Sequence, residues 1–350
     1  MSDWRNALVF PGASIRETIA RIDAGSMHIA LVVDKNGRLL GTITDGDVRR
    51  AILKGVSLDD CAENAMNPNP TVAKSEESRE RIRASMRRGY LHQIPVVDEA
   101  GIVVGVEVLD SSPSSELKEN LAVIMAGGLG SRLMPLTDNK PKPMLLIGGK
   151  PILETIIESL VDCGVRKFCL AVNYRAELIK DYFGNGGRWG VTISYLEETK
   201  KLGTAGALSL LPEIPERPII VMNGDVLTKI NFQHLFDFHT AQRADATVCV
   251  REYDIQIPFG VVKLDNQRIA AIDEKPVHRF FVNAGIYILE PAVLHYVPSD
   301  LYFDMPALLS RLLADAKPPA AFPIREYWMD IGRLDDFKRA TGEYSGVFTS

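Results

Sequence analysis

Two stretches of the chain repeat each other at a constant offset of 64 residues, "GSMHIALVVDKNGRLLG" at 25–41 and "GYLHQIPVVDEAGIVVG" at 89–105. Gly25, His28, Val32, Val33, Asp34, Gly37 and Gly41 align with Gly89, His92, Val96, Val97, Asp98, Gly101 and Gly105. Self-similarity at a fixed offset means two copies of one supersecondary unit that bury their apolar faces on each other. Each copy reads as helix, strand, turn, strand. The turns "DKNG" and "DEAG" carry hairpin chemistry. "SIRETIARI" opens the first helix with Ser14 and Glu17 at the spacing of a capping box.

A polar stretch at 110–120, Asp110 followed by "SSPSSELKEN", reads as a linker. After it the pattern becomes an alternation of strands and helices. The strand candidates are "LAVIMA", "KFCLAVNY", "VTISYLEE", "PIIVMNGD", "ATVCVREY", "FGVVKLD" and "FVNAGIYIL". Between them lie helical patterns such as "PILETIIESLVDCG", "AELIKDYFG", "NFQHLFDFHTAQR" and "MPALLSRLLADA". This alternation predicts an α/β fold with a doubly wound, mostly parallel sheet. A smaller α+β pair precedes it. The expected division is 1–115 and 119–350, a reasonable split for 350 residues of which 46% are hydrophobic.

The net charge of −5 argues against a general nucleic-acid binder. Cys61, Cys163, Cys169 and Cys249 have no CxxC spacing, so neither a disulfide framework nor a zinc site is expected. The six histidines form no ligand pair. "MSDWRNALVF" lacks the basic and apolar regions of a signal peptide, and no long apolar run predicts a membrane span. Cytoplasm is the expected location.

The repeat resembles a pair of CBS domains, covering roughly residues 8–112. In that family a Ser/Thr-x-x-Asp motif after the second strand contacts the ribose and phosphate of an adenine nucleotide. "GTITDGDVRR" supplies Thr44 and Asp47, whereas the second copy has Val108 and Ser111 at those places. The resemblance implies at most one adenine-nucleotide site per chain, and a homo-oligomer built partly through this half. A Thr and an Asp at this spacing are also an ordinary helix cap, so a purely structural or dimerising module stays open.

"VIMAGGLGSRLMPLT", 123–137, is a strand followed by a glycine-rich loop. A dinucleotide fingerprint would need a third glycine at 133, which is leucine, and an acidic residue after "FCLAVNY", which is absent. No G-x-x-x-x-G-K-[ST] exists. Arg132 and Lys142 flank the loop, so two cations and a row of backbone N–H groups make an anion site by composition.

"AGGLGSRLMPLTDNKPKPML" resembles the signature of sugar nucleotidyltransferases, and further motifs follow in the family's order. They are "LGTAGAL", "NGD", "FGVV", "DEKP", "VNAGIYIL" and "MDIG". The resemblance covers about residues 121–332. It implies that Ala126, Gly127 and Gly128 let base and ribose lie against bare backbone. Gly130, Ser131 and Arg132 would cradle a triphosphate. Lys142 would sit near the α-phosphate, and Glu198, Gly203 and Thr204 would complete the nucleotide contacts. Asp225 and Asp330 would hold Mg²⁺, which favours one or two carboxylates with phosphate oxygens and water. Gly260, Glu274, Lys275, Asn283 and Gly285 would bind a sugar-1-phosphate. Catalysis would rest on Arg132, Lys142 and Asp225, by attack of the sugar phosphate on the α-phosphorus.

Glu198 lies five residues before Gly203, where uridylyl- and thymidylyltransferases commonly have Gln. Guanine presents two adjacent donors, N1–H and the 2-amino group, and a carboxylate accepts from both. The reading therefore favours GTP over UTP or dTTP. A CBS pair ahead of such a domain resembles the glucosamine-1-phosphate guanylyltransferases of bacterial legionaminic acid synthesis. The second domain alone also resembles mannose-1-phosphate guanylyltransferases. A non-catalytic nucleotide sensor of the same fold is the alternative of another class.

Overall fold

A computed structural model describes residues 3–25, 27–88, 91–109 and 119–348. Gly89, Ser111 and most of the linker lie outside these residues. The chain divides into two compact units, 1–113 and 114–350.

The first unit holds β1 (Leu8–Val9), α1 (Ile15–Ala24), β2 (Ile29–Val33), β3 (Leu39–Thr44) and α2 (Asp45–Leu53). The second copy supplies β4 (Ala73–Lys74), α3 (Arg79–Arg88), β5 (Gln93–Val97) and β6 (Val103–Val108). Two three-stranded sheets result, β1-β2-β3 and β4-β5-β6. The repeat holds at the level of register. Val32 pairs with Gly41 and Val96 with Gly105, and each ladder shifts register just after that pair. The two hairpin turns also bind each other reciprocally. Leu39 donates to the Gly101 carbonyl and Val103 to that of Gly37, each at 3.0 Å. Both glycines take φ near +80°, the left-handed region these turns require. Leu31 and Val33 share one apolar cluster with Val97 and Val103, so the copies bury their faces on each other. The capping box forms as expected, with Glu17 N–H donating to Ser14 Oγ at 3.1 Å and Ser14 N–H to Glu17 Oε2 at 3.0 Å.

The second unit begins with β7 (Leu121–Met125), β8 (Leu146–Ile147), β9 (Lys150–Pro151), α4 (Ile152–Asp162), β10 (Lys167–Val172), α5 (Ala176–Phe183), β11 (Thr192–Glu197) and α6 (Gly203–Gly206). It continues with β12 (Ile219–Asn223), β13 (Val226–Thr228), α7 (Phe232–Gln242), β14 (Ala246–Gln256), β15 (Gly260–Asp265), β16 (Arg268–Glu274) and β17 (Val277–Leu289). Last come α8 (Met305–Ala314), β18 (Ala320–Ile324), β19 (Trp328–Asp330) and α9 (Leu334–Phe348). Asn120, expected in the linker, is buried and donates to the Pro218 carbonyl at 2.7 Å, so it belongs to this unit.

Seven strands form the central sheet in the order β11-β10-β7-β12-β17-β14-β18. Only β17 runs against its neighbours in this sheet. Both faces are covered. Ile124, Leu170 and Ile220 pack with Leu153, Leu160 and Leu235 on one side. Val123, Cys169 and Val221 pack with Leu308 and Leu312 on the other. Burial on both faces is why these strands read as continuous apolar runs. "FGVVKLD" departs from expectation. As β15 it pairs only with β16, in a hairpin outside the central sheet. Its alternation of apolar and polar residues is that of a ribbon with one apolar face, which local pattern cannot assign to a sheet. No helix among the described residues is long and apolar enough to cross a membrane.

The C-terminal helix is locked by a glycine. Gly148 and Gly149, at φ +62° and +85°, turn the chain between β8 and β9. A Cβ on Gly148 would lie 2.0 Å from Tyr344 Cδ1, and the Tyr344 hydroxyl meets Thr155 Oγ1 at 3.2 Å. Gly148→Ala is expected to cost about 2–4 kcal/mol through strain and overpacking. Denaturant unfolding measures it, and a change near zero would mean that α9 is not seated on this turn.

Candidate active site

Four segments leave the central sheet at the carboxyl ends of neighbouring parallel strands. Residues Ala126–Gly130 follow β7, Asn173 follows β10, Glu198 follows β11, and Gly224 and Asp225 follow β12. From β7 the chain moves to β10 on one side, then returns to β12 on the other. The connections diverge there and leave a crevice beyond the carboxyl ends, where open α/β sheets bind ligands.

The glycines of the loop have separable roles. A Cβ on Gly127 would lie 2.6 Å from Glu198 Oε1, whereas one on Gly128 would meet nothing within 4 Å. Gly127 thus admits the Glu198 carboxylate, and Gly128 leaves open backbone above the crevice. Gly130 sits at φ +65°, and a Cβ there would press on Thr137 and Lys142 at 2.9 and 3.0 Å. Thr137 Oγ1 ties this turn by donating to the Gly130 carbonyl at 2.9 Å. Ser131 and Arg132 follow in a short 3₁₀ turn, both exposed.

Glu198 is held at both ends. Its Oε2 accepts the Leu202 N–H at 2.9 Å, and its backbone carbonyl accepts from Asn173 Nδ2 at 2.6 Å. Burial raises its pKa, opposed by the Leu202 hydrogen bond. Gly203, at φ +86°, lets the chain pass the Phe303 carbonyl, which a Cβ would meet at 2.6 Å. The Thr204 hydroxyl accepts the Met305 N–H at 2.9 Å, so it anchors the start of α8.

The charged end of the crevice is assembled by pairing. β13 runs antiparallel to β19, with Val226 opposite Asp330, and Ile331 N–H donates to the Asp225 carbonyl at 3.1 Å. This brings the two aspartates together. Buried Lys142 donates from Nζ to Asp225 Oδ2. Asp225 Oδ1 is buried and has no hydrogen-bond partner among the described residues. Asp330 is open on one side, but desolvation of its carboxyl, and then the charge of Asp225, raise its pKa. Lys142 and Arg132 pull the other way. No cluster of three or more His, Cys, Asp or Glu among the described residues could hold a metal ion. Two carboxylates, one of them with an unpartnered buried oxygen, fit a hard cation that takes its remaining ligands from phosphate and water.

The residues expected to meet a sugar phosphate fall into two groups. Asn283 and Gly285 lie at the sheet, where Asn283 Oδ1 accepts from Gly285 N–H at 2.9 Å and Tyr287 Oη at 2.8 Å. A Cβ on Gly285, at φ +72°, would lie 2.6 Å from Asn223 Nδ2. Gly260, Glu274 and Lys275 lie instead on the arm formed by β15 and β16, where Gly260 pairs with Glu274. Glu274 and Lys275 are exposed, and Lys275 takes φ +46°. In the first unit, Thr44 and Asp47 form a capping box, with Thr44 Oγ1 2.6 Å and Thr44 N 2.9 Å from Asp47 Oδ2. Arg50 Nη2 occupies the other oxygen at 2.5 Å.

Sequence reasoning missed Asn173, Asn223, Thr137 and Gly224. Gly224 crosses the end of β7, and a Cβ there would meet the Met125 carbonyl at 2.8 Å. Its position inside "NGD" is a usable signal. The roles of the two asparagines and Thr137 depend on partners distant in the chain.

A family model described as nucleotidyl transferase matches residues 121–345, and one described as CBS domain matches 4–54 and 62–106. A mannose-1-phosphate guanyltransferase of Debaryomyces hansenii is 37% identical over 238 residues, covering 63% of this chain and 64% of that protein. One of Saccharomyces cerevisiae is 35% identical over 237 residues, with the same coverage of 63% and 64%. This chain thus spans less than two thirds of the length of these relatives. Among solved structures, HddC from Yersinia pseudotuberculosis is 29% identical with a TM-score of 0.52, covering 64% of this chain and 99% of that one. The same protein was also solved complexed with GMP-PN, at 28% identity, a TM-score of 0.52 and the same coverage of 64% and 99%.

The raised pKa of Asp330 predicts the sign of a stability effect. The folded state holds this proton more tightly than the unfolded state, whose ordinary value is 3.8. The group's contribution is therefore most favourable below 3.8 and declines as pH rises through the higher folded value. At neutral pH without divalent cations, Asp330→Asn should raise the melting temperature. A lowered melting temperature would mean that the carboxylate stabilises the fold.

Proposed function

Because this chain belongs to the nucleotidyl transferase family, we propose that its second unit transfers a nucleoside monophosphate from GTP to a sugar-1-phosphate, releasing pyrophosphate. The observation that carries this reading is the convergence of Lys142, Asp225 and Asp330 beside the glycine loop, with Asp225 Oδ1 buried and unpartnered.

The reaction needs little proton chemistry. A sugar-phosphate oxygen attacks the α-phosphorus and the bond to the bridging oxygen breaks, so pyrophosphate leaves with that electron pair. The nucleophile is already anionic near neutral pH, so no general base is required. Gly128 leaves the loop backbone open to the nucleotide, and Gly130 lets the turn that carries Ser131 and Arg132 pass Thr137 and Lys142. Lys142 keeps two further N–H donors for phosphate oxygens after its bond to Asp225. Arg132, exposed at the crevice rim, adds a second cation. Asp225 and Asp330 would hold Mg²⁺, whose charge offsets that of the phosphates. Rate enhancement then comes from positioning and charge stabilisation. Asn283 and Gly285 at the sheet, with Gly260, Glu274 and Lys275 on the arm, are the proposed contacts of the sugar phosphate.

The choice of guanine rests on Glu198. Its carboxylate is fixed by Leu202 over Gly127, where two acceptors could face the two donors of the base. Ala126, Gly203 and Thr204 are the other proposed contacts of the nucleotide. The relatives named as mannose-1-phosphate guanyltransferases and the neighbour solved with GMP-PN support the same base. For the sugar, the fused CBS pair favours glucosamine-1-phosphate and the pathway to legionaminic acid. The names of the relatives favour mannose-1-phosphate. Thr44 and Asp47 are the proposed adenine-nucleotide contacts of the first unit, once ligand competes with their mutual cap.

Pyrophosphate release with a panel of triphosphates and sugar-1-phosphates tests the proposal. Turnover is expected with GTP and one of the two sugars, and absence of turnover with every pair would favour a nucleotide sensor. Glu198→Gln should lower kcat/KM for GTP about five- to hundredfold, as an unmade hydrogen bond of roughly 1–3 kcal/mol requires, while UTP or dTTP gains relative to GTP. An unchanged ratio of GTP to UTP would remove Glu198 from base recognition.

A further inference from the structure

We propose, resting on the reaction proposed above, that buried Tyr287 is a positioning residue: it locks the Asn283 amide so that only N–H donors face the sugar-1-phosphate.

The lock is built on a bulge. Val248 lies opposite Tyr287 and Val250 opposite Asn283, so Cys249 alone spans Ala284, Gly285 and Ile286. Bulges bend a strand and re-aim its side chains, and they are over-represented beside active sites. Residues four apart in a regular strand share a face but stand about 13 Å apart. Here Gly285 turns at φ +72°, and Tyr287 reaches back to Asn283, with Oη 2.8 Å from Oδ1.

Which way the amide faces follows from its partners. A backbone N–H can only donate, so the amide atom 2.9 Å from Gly285 N is the oxygen. The Tyr287 hydroxyl meets the same atom and therefore donates to it. Tyr287 is 4% exposed, and burial pushes its pKa up to about 12 although the Asn283 bond pulls it down, so the hydroxyl keeps its proton at neutral pH. Both lone pairs of Asn283 Oδ1 are thus engaged. Turning the amide over would set its NH2 against two donors. Asn283 itself is exposed, and its Nδ2 has no hydrogen-bond partner among the described residues. What remains for a ligand is a pair of donors in a fixed direction, suited to an oxygen acceptor.

The turn also stands beside the cation site. A Cβ on Gly285 would lie 2.6 Å from Nδ2 of Asn223, which ends β12 two residues before Asp225. On the other side Trp328 Nε1 donates to the Ala284 carbonyl at 2.9 Å. Trp328 pairs with Thr228 in the same ladder that sets Val226 opposite Asp330. The strands that carry both aspartates therefore hold the turn that carries Asn283. With Gly285 as its one partner, the amide could swing about a single bond. Tyr287 removes that freedom, so binding the sugar phosphate need not order the amide first.

Steady-state kinetics of the full-length chain, with GTP and the sugar-1-phosphate it turns over, test the lock. Tyr287→Phe is expected to raise KM for the sugar phosphate about two- to tenfold, the effect of losing one neutral hydrogen bond, with KM for GTP unchanged. The lock works only through the amide. In an Asn283→Ala background, Tyr287→Phe should therefore raise KM no further. Equal increases in both backgrounds, or an equal rise in KM for GTP, would make Tyr287 a packing residue and overturn the proposal, as would an unchanged KM in Tyr287→Phe. Should Tyr287→Phe fail to fold, Asn283→Asp keeps both bonds to Oδ1 but replaces the donors with a charged acceptor. It should raise KM for the sugar phosphate about tenfold or more, and an unchanged KM overturns the lock. Absence of turnover by the unmodified chain with every triphosphate and sugar pair is a separate result, which overturns the reaction and the lock with it.

Discussion

The antiparallel pairing of Val226 with Asp330 is the contact on which the site depends. It joins residues more than a hundred positions apart, so the chain closes a long loop before the two carboxylates meet. Their proximity is unfavourable by itself. Desolvation and the neighbouring charge of Asp225 act together to raise the pKa of Asp330. Lys142 offsets one side of this arrangement by bonding Asp225 Oδ2, and Asp225 Oδ1 is left buried without a partner. A cluster of charge that costs stability without ligand is what a phosphate and cation site requires. The surrounding packing must hold it, and here β12, β13 and β19 do so from beneath.

The other end of the crevice depends on missing side chains. Gly127 makes room for the carboxylate of Glu198, and Gly224 makes room for the backbone of β7. Gly285 lets β17 pass Asn223. Each is a close approach that one methyl group would block. The glycines are thus spaced by contacts to distant strands as much as by the loop's own turn.

Much of this architecture is legible in the order of the residues. The 64-residue offset predicts two copies, and the ladders reproduce it, with Val32 opposite Gly41 and Val96 opposite Gly105. Continuous apolar runs mark the doubly covered strands because both their faces are buried. The capping chemistry of Ser14 with Glu17 is local and can be read directly. The ordered motifs point to Asp225 and Asp330 only through resemblance, since spacing along the chain says nothing about a pairing so distant. Three features are hidden for the same reason. Lys142 bonds Asp225, Thr204 serves Met305, and "FGVVKLD" stands off the sheet in a hairpin. Each depends on which distant residue faces a side chain, and local periodicity carries no such information. The polar end of the linker misleads for a related cause: Asn120 is buried because a carbonyl of β12's approach accepts its amide.

The central claim is that Asp225 and Asp330 act as one cation site beside a nucleotide phosphate. Electron paramagnetic resonance with Mn²⁺ replacing Mg²⁺, in the presence of GTP, tests it most directly. The account predicts that the full-length chain immobilises the Mn²⁺–nucleotide complex, and that Asp225→Asn sharply reduces the immobilised fraction at equal GTP. An immobilised fraction unchanged by Asp225→Asn would contradict it.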